Sequence, residues 1–152
     1  MDATMDHPNR RAILAGVTAA MLVCVRPAAG REGDTAEAVR AFAGGTAVRP
    51  GRIKLDLPPL VENGNAAPLT VTVESAMTEA DHVRRIAVFN ERNPQPNVIT
   101  ATLGPRSGRA SLSTRIRLAG SQRITAVAEM SDGSFHEASA DIIVTLAACV
   151  EG

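Results

Sequence analysis

The chain has 152 residues, and its 16 Lys and Arg balance 16 Asp and Glu, so nothing in its charge selects a nucleic-acid backbone as a partner. Trp and Tyr are absent and there are 3 Phe, which leaves few stacking platforms for sugars or bases and requires a core of Val, Ile, Leu and Ala. The 2 cysteines, Cys24 and Cys149, are too few for a disulfide framework.

The first 30 residues read as an export signal. Arg10 and Arg11 precede a mostly apolar run over 12–25, and Ala28-Ala29-Gly30 offers small residues for cleavage. This is the pattern of a twin-arginine signal. The run is roughly 14 residues before Arg26 and Pro27 interrupt it, short of the about 20 that a membrane-spanning helix needs. Asp2 and Asp6 make its start less basic than usual, and the alternative is a cytosolic protein with an amphipathic N-terminal helix. The expectation is a periplasmic protein without a membrane segment once residues 1–30 are removed. Cys24 then belongs to the signal. Val23 stands before it where a lipoprotein signal carries a small residue.

What remains is about 122 residues, enough for one domain with a real core. That domain is expected over 31–146, with a free arm over 147–152. It opens with a helix near 35–43, capped by Asp34 or Thr35 and stopped by Gly44-Gly45.

From Arg52 the hydrophobic period changes to two. Ile53, Leu55 and Leu57 alternate with Lys54 and Asp56, and Leu69, Val71 and Val73 alternate with Thr70, Thr72 and Glu74. Ala110, Leu112, Ile116 and Leu118 form one face of a later run. Ile124, Ala126, Ala128 and Met130 form another, and Ile142, Val144 and Leu146 a third. Runs at 83–89 and 98–103 bring the expectation to about seven strands. Asn63-Gly64, Asn93-Pro94, Gly104-Pro105, Ala119-Gly120 and Asp132-Gly133 supply turn chemistry between them. The fold class is all-β, an immunoglobulin-like antiparallel β-sandwich with a short N-terminal helix. Phe89, Val127 and Ile143 fall out of phase with the inward sets. They mark a sheet face covered by a partner subunit or, equally, ordinary exposed apolar residues.

No constellation for catalysis is present. His82 and His136 lack metal-ligand spacing and read as surface residues, and Asp132-Gly133 reads as a turn. Arg84-Arg85 and Arg109, Arg115 and Arg117 read as solvated faces or as guides for an acidic partner. The remaining chemical group is Cys149, in Leu146-Ala147-Ala148-Cys149-Val150-Glu151-Gly152. A lone exported thiol is reactive, paired with another chain, or incidental.

Leu55-Asp56-Leu57-Pro58, Glu62-Asn63-Gly64, Val71-Thr72-Val73-Glu74-Ser75-Ala76-Met77-Thr78, Phe89-Asn90-Glu91-Arg92-Asn93-Pro94, Ser113-Thr114-Arg115-Ile116-Arg117-Leu118 and Ala126-Val127-Ala128-Glu129-Met130-Ser131-Asp132-Gly133 together resemble SoxY proteins, the thiosulfate-carrier subunits of the periplasmic sulfur-oxidising system. The resemblance runs over roughly 36–149. It implies a β-sandwich paired with a SoxZ-like subunit as a heterodimer. It also implies no enzymatic activity and no cofactor beyond sulfur intermediates bound covalently to Cys149. By the same resemblance, a Sox cytochrome couples the thiol to thiosulfate, a hydrolase releases sulfate, and a sulfur dehydrogenase or acceptor takes the remaining sulfur.

The tail departs from the family's Gly-Gly-Cys-Gly-Gly. Ala147 and Ala148 replace small, permissive glycines, Val150 is β-branched, and Glu151 adds an anion beside the terminal carboxylate. Those anions disfavour the thiolate relative to a free cysteine and repel thiosulfate. A scaffold paralogue that keeps the partner and has altered or lost carrier chemistry is therefore the second reading.

Overall fold

The computed structural model describes residues 32–148. The proposed signal and Cys149 lie outside them. Helix α1 (Glu32–Phe42) is followed by nine strands: β1 (Val48–Pro50), β2 (Ile53–Asp56), β3 (Leu60–Asn63), β4 (Ala67–Val73), β5 (Val83–Asn90), β6 (Asn97–Thr102), β7 (Ser111–Ile116), β8 (Gln122–Met130) and β9 (Phe135–Leu146). One sheet has the order β1-β9-β8-β5-β6, with β3 also on β9, and the other has the order β2-β4-β7.

The seven runs read from hydrophobic alternation are all strands, and the immunoglobulin-like sandwich stands. Two strands are additional. β1 and β3 each pair with β9 in parallel, so the sandwich is not wholly antiparallel. They arise because the chain enters along the first sheet, crosses to the second as β2, and returns as β3. The first crossing is made at Gly51 (φ 110°) and Arg52 (φ 60°). A left-handed conformation is costly for Arg, and it is held here by the Glu74 N–H donating to the Arg52 carbonyl at 2.7 Å. The Arg52 guanidinium also lies 3.6 Å from Asp81.

The main core lies between the sheets. Leu69, Val71, Val73, Val83, Ile86, Val88, Ile116, Leu118, Ile124, Met130 and Ile142 form its centre. Side chains alternate across each strand, so β5 and β8 also carry an outer apolar row. Ala87, Phe89 and Val127 lie in that row and are fully buried. The cover is helix α1, not another subunit. Ala38, Val39, Phe42 and Ala43 pack on Ala87, Phe89, Val127 and Phe135. Phe42 meets Phe89 and Phe135 edge-on, with ring centroids 5.9 and 6.0 Å apart, the geometry that aligns ring edge with ring face.

Ala36, Ala38 and Ala41 favour the helix. Gly44 (φ 60°) and Gly45 (φ 81°) end it, and the Gly45 N–H returns to the Arg40 carbonyl at 3.1 Å. The helix starts earlier than the capping pattern suggests, which puts Thr35 inside it. The Thr35 hydroxyl, buried, donates to the Asn90 carbonyl at 2.6 Å and ties the helix to the end of β5. Ile143 is the one outward residue of the three that stays uncovered. It is 58% exposed and stands opposite Leu60 of β3, itself 52% exposed.

Candidate functional site at the end of the last strand

Cys149 and Cys24 both fall outside the described residues. The structure does show how the chain approaches Cys149. Strand β9 runs to Leu146, which lies opposite Asn63 and is 64% exposed. The chain does not then leave the domain. Ala148 is 5% exposed, and its N–H donates to the Leu118 carbonyl at 2.9 Å. Leu118 in turn donates its N–H to the Gly64 carbonyl at 2.8 Å. The arm expected from residue 147 is therefore held at 148.

Gly64 makes this seat possible. It opens a single 3-10 turn, Gly64–Ala66, after Asn63, whose side chain accepts the Asn65 N–H. A Cβ on Gly64 would stand 2.6 Å from the Leu118 carbonyl oxygen, 2.9 Å from the Ala148 nitrogen and 3.0 Å from Val144. Any side chain there would push the tail or its acceptor away. The Asn63-Gly64 pair was legible as a turn. Its contact with residue 148 had no signal in the sequence, because it joins positions far apart in the chain.

The acceptor is held rigidly from behind. The Asn93 side-chain oxygen accepts from the Ala119 N–H at 3.0 Å and from the Gln122 amide at 3.1 Å, and its amide donates to the Arg117 carbonyl at 2.8 Å. The Gln122 oxygen accepts the N–H groups of Glu91 and Arg92 at 3.2 and 2.9 Å. The Val144 N–H donates to the Ser121 hydroxyl at 2.9 Å. The loop after β5 and the corner before β8 thus form one bonded block under the tail seat.

The other residues singled out by sequence do not gather into a site. His82 contacts the Thr78 carbonyl through Nδ1 at 3.0 Å, at the far end of β5 from Asn90. His136 lies beside Arg49 in the β1–β9 register, and its Nδ1 is buried without a hydrogen-bond partner. Burial holds its pKa below the ordinary value, Arg52 and Arg49 lower it further, and Asp132 opposes them. Asp132 is a turn residue, accepting from the Ser134 N–H and hydroxyl at 2.9 and 2.6 Å. Among the described residues, no three His, Cys, Asp or Glu side chains stand close enough to hold a metal. Arg84 and Arg85 both pair with Glu129, and the Arg85 guanidinium lies 4.5 Å from the Phe42 ring centroid. Arg85 thereby lies against the helix. Arg109, Arg115 and Arg117 are exposed. Among the described residues, no helix is long and apolar enough to cross a membrane.

These features define a class: a small two-sheet immunoglobulin-like domain with a helix on its outer face and a chain held at Ala148 after its last strand. The model of the sulfur oxidation protein SoxY matches residues 39–149, and the chain belongs to that family. The sulfur carrier protein SoxY from Chlorobium limicola f thiosulfatophilum superposes with a TM-score of 0.64 at 23% identity, covering 75% of this chain and 98% of that one. Superoxide reductases share the fold. The neelaredoxin of Ignicoccus hospitalis gives a TM-score of 0.56 at 18% identity, over 68% of this chain and 91% of its own. The Nanoarchaeum equitans protein gives 0.54 at 7% identity, over 63% of this chain and all of its own. No protein with a curated description matches the chain.

Proposed function

We propose that this protein carries sulfur-oxidation intermediates covalently on Cys149, in the periplasm, as the SoxY-like half of a complex with a SoxZ-like subunit. The observation that carries the reading is the extent of the family match, which ends on Cys149 itself. The chemistry needs only a thiol that successive enzymes can reach. Oxidative coupling joins the cysteine sulfur to the outer sulfur of thiosulfate, releasing one proton and passing two electrons to a cytochrome partner. Water then cleaves the terminal S–S bond of the S-thiosulfonate, releasing sulfate and leaving a persulfide on the cysteine. The carrier catalyses neither step. Its contribution is a folded body that partners recognise and a thiol at its edge.

Leu60 and Ile143 support the partner half of this reading. They form an exposed apolar pair on neighbouring strands, on a part of the outer face that α1 does not cover. Export through the twin-arginine route rests on Arg10-Arg11 and the short apolar run that follows.

A scaffold role without carrier chemistry is favoured by one observation, the burial of Ala148 directly before the thiol. Protein from thiosulfate-grown cells separates the two. A carrier shows sulfur adducts on Cys149 by intact mass, and Cys149→Ser abolishes thiosulfate-dependent respiration. A scaffold shows no adducts and tolerates the substitution.

A further inference from the structure

We infer that Gly64 and Leu118 form a latch for Ala148, and that release of this latch sets how far Cys149 can reach from the domain. The inference deepens the carrier reading and rests on it for its biological meaning. The latch itself is a property of the fold.

Ala148 is the last described residue, yet it is nearly as buried as the sandwich core. Two features hold it: the hydrogen bond to Leu118 and the missing Cβ of Gly64, whose place is closed on another side by a Val144 methyl. The bonded block of Asn93 and Gln122 fixes the acceptor behind it. Exposed residues Leu146 and Ala147 precede it, so Ala148 is buried where the residues just before it face solvent.

The consequence is geometric. With Ala148 seated, one trans peptide separates Cys149 from an anchored residue, so its Cα stays within about 3.8 Å of the Ala148 Cα. With Ala148 released, three peptide units separate Cys149 from Leu146, and full extension reaches about 10 Å. A reagent or enzyme that meets the surface reacts in either state. A recessed active site takes the thiol only in the released state. Alanine suits such a latch because it is buried there at almost no side-chain entropy cost.

The test uses the full chain with Cys24→Ser, so that Cys149 is the one thiol labelled. Its rate with a bulky maleimide-polyethylene glycol is divided by its rate with iodoacetamide. Ala148→Glu puts a charge into the seat and expels the residue, whereas Ala147→Glu adds the same charge outside it. The latch predicts a ratio raised about tenfold by Ala148→Glu, near the loss of one hydrogen bond, and unchanged by Ala147→Glu. Gly64→Ala raises the ratio from the opposite wall. The unsubstituted Ala148 amide is also protected from hydrogen exchange. Equal ratios in all the proteins, or an Ala148 amide exchanging at the free-peptide rate, overturn the latch. None of these readouts involves sulfur cargo, so they fail or succeed independently of the carrier reading.

Discussion

His136 shows how a residue unrelated to the thiol still leaves a measurable mark on the molecule. Burial is the largest influence on it, followed by the positive charges of Arg52 and Arg49, and all three favour the neutral ring in the folded state. In the unfolded chain the ring titrates near its ordinary 6.5. Below that pH the unfolded state binds a proton that the folded state resists, so stability falls as pH falls. The loss begins near pH 6.5 and levels off below the lowered folded value. Thermal unfolding between pH 7.5 and 5 should therefore show a decline that His136→Gln reduces. An unchanged profile in the variant would place the pH dependence elsewhere. The sequence reading of His136 as a surface residue on a loop or strand end was silent about this. Its unpartnered Nδ1 depends on β1 lying alongside in parallel register. The same limit applies to Gly64, where the need for a missing Cβ comes from Leu118 and Ala148, distant in sequence and adjacent in space.

At the scale of elements, period-two alternation exposed every strand long enough to show it. β1 escaped because three residues ending in Pro50 carry no readable alternation, and β3 because Leu60-Val61-Glu62-Asn63 sets two apolar residues before two polar ones. The outward apolar residues Phe89 and Val127 did announce a cover, but the pattern of one strand cannot say what supplies it. The helix supplies it, through Phe42 above all. Phe42→Ala removes both edge-on ring contacts and the surface on which Arg85 lies. Urea denaturation should show a loss of roughly 2–3 kcal/mol, below the roughly 3–5 kcal/mol of a fully buried Phe because this ring is half-exposed. The variant should also bind a hydrophobic dye through the uncovered β5–β8 face. A loss well under 1 kcal/mol would mean the helix contributes little to the sandwich.

For the whole molecule, the two faces of the first sheet divide the work. The inner face makes the core, and α1 closes the outer face around Ala87, Phe89, Val127 and Phe135. Leu60 and Ile143 stay open at the edge where β3 joins β9, within the same strand that leads to the tail seat. Ile143→Lys should leave folding stability within about 0.5 kcal/mol, as expected for an exposed site, and should abolish co-purification with a SoxZ-like subunit. Retained co-purification would move the partner to another face. The carrier claim itself meets its most direct test in intact mass spectrometry of protein isolated from cells oxidising thiosulfate. The account predicts a species heavier than the unmodified chain by an S-thiosulfonate or a persulfide sulfur, mapped to Cys149, lost on reduction and absent from Cys149→Ser. A chain that stays unmodified at Cys149 while its cells actively oxidise thiosulfate would contradict it.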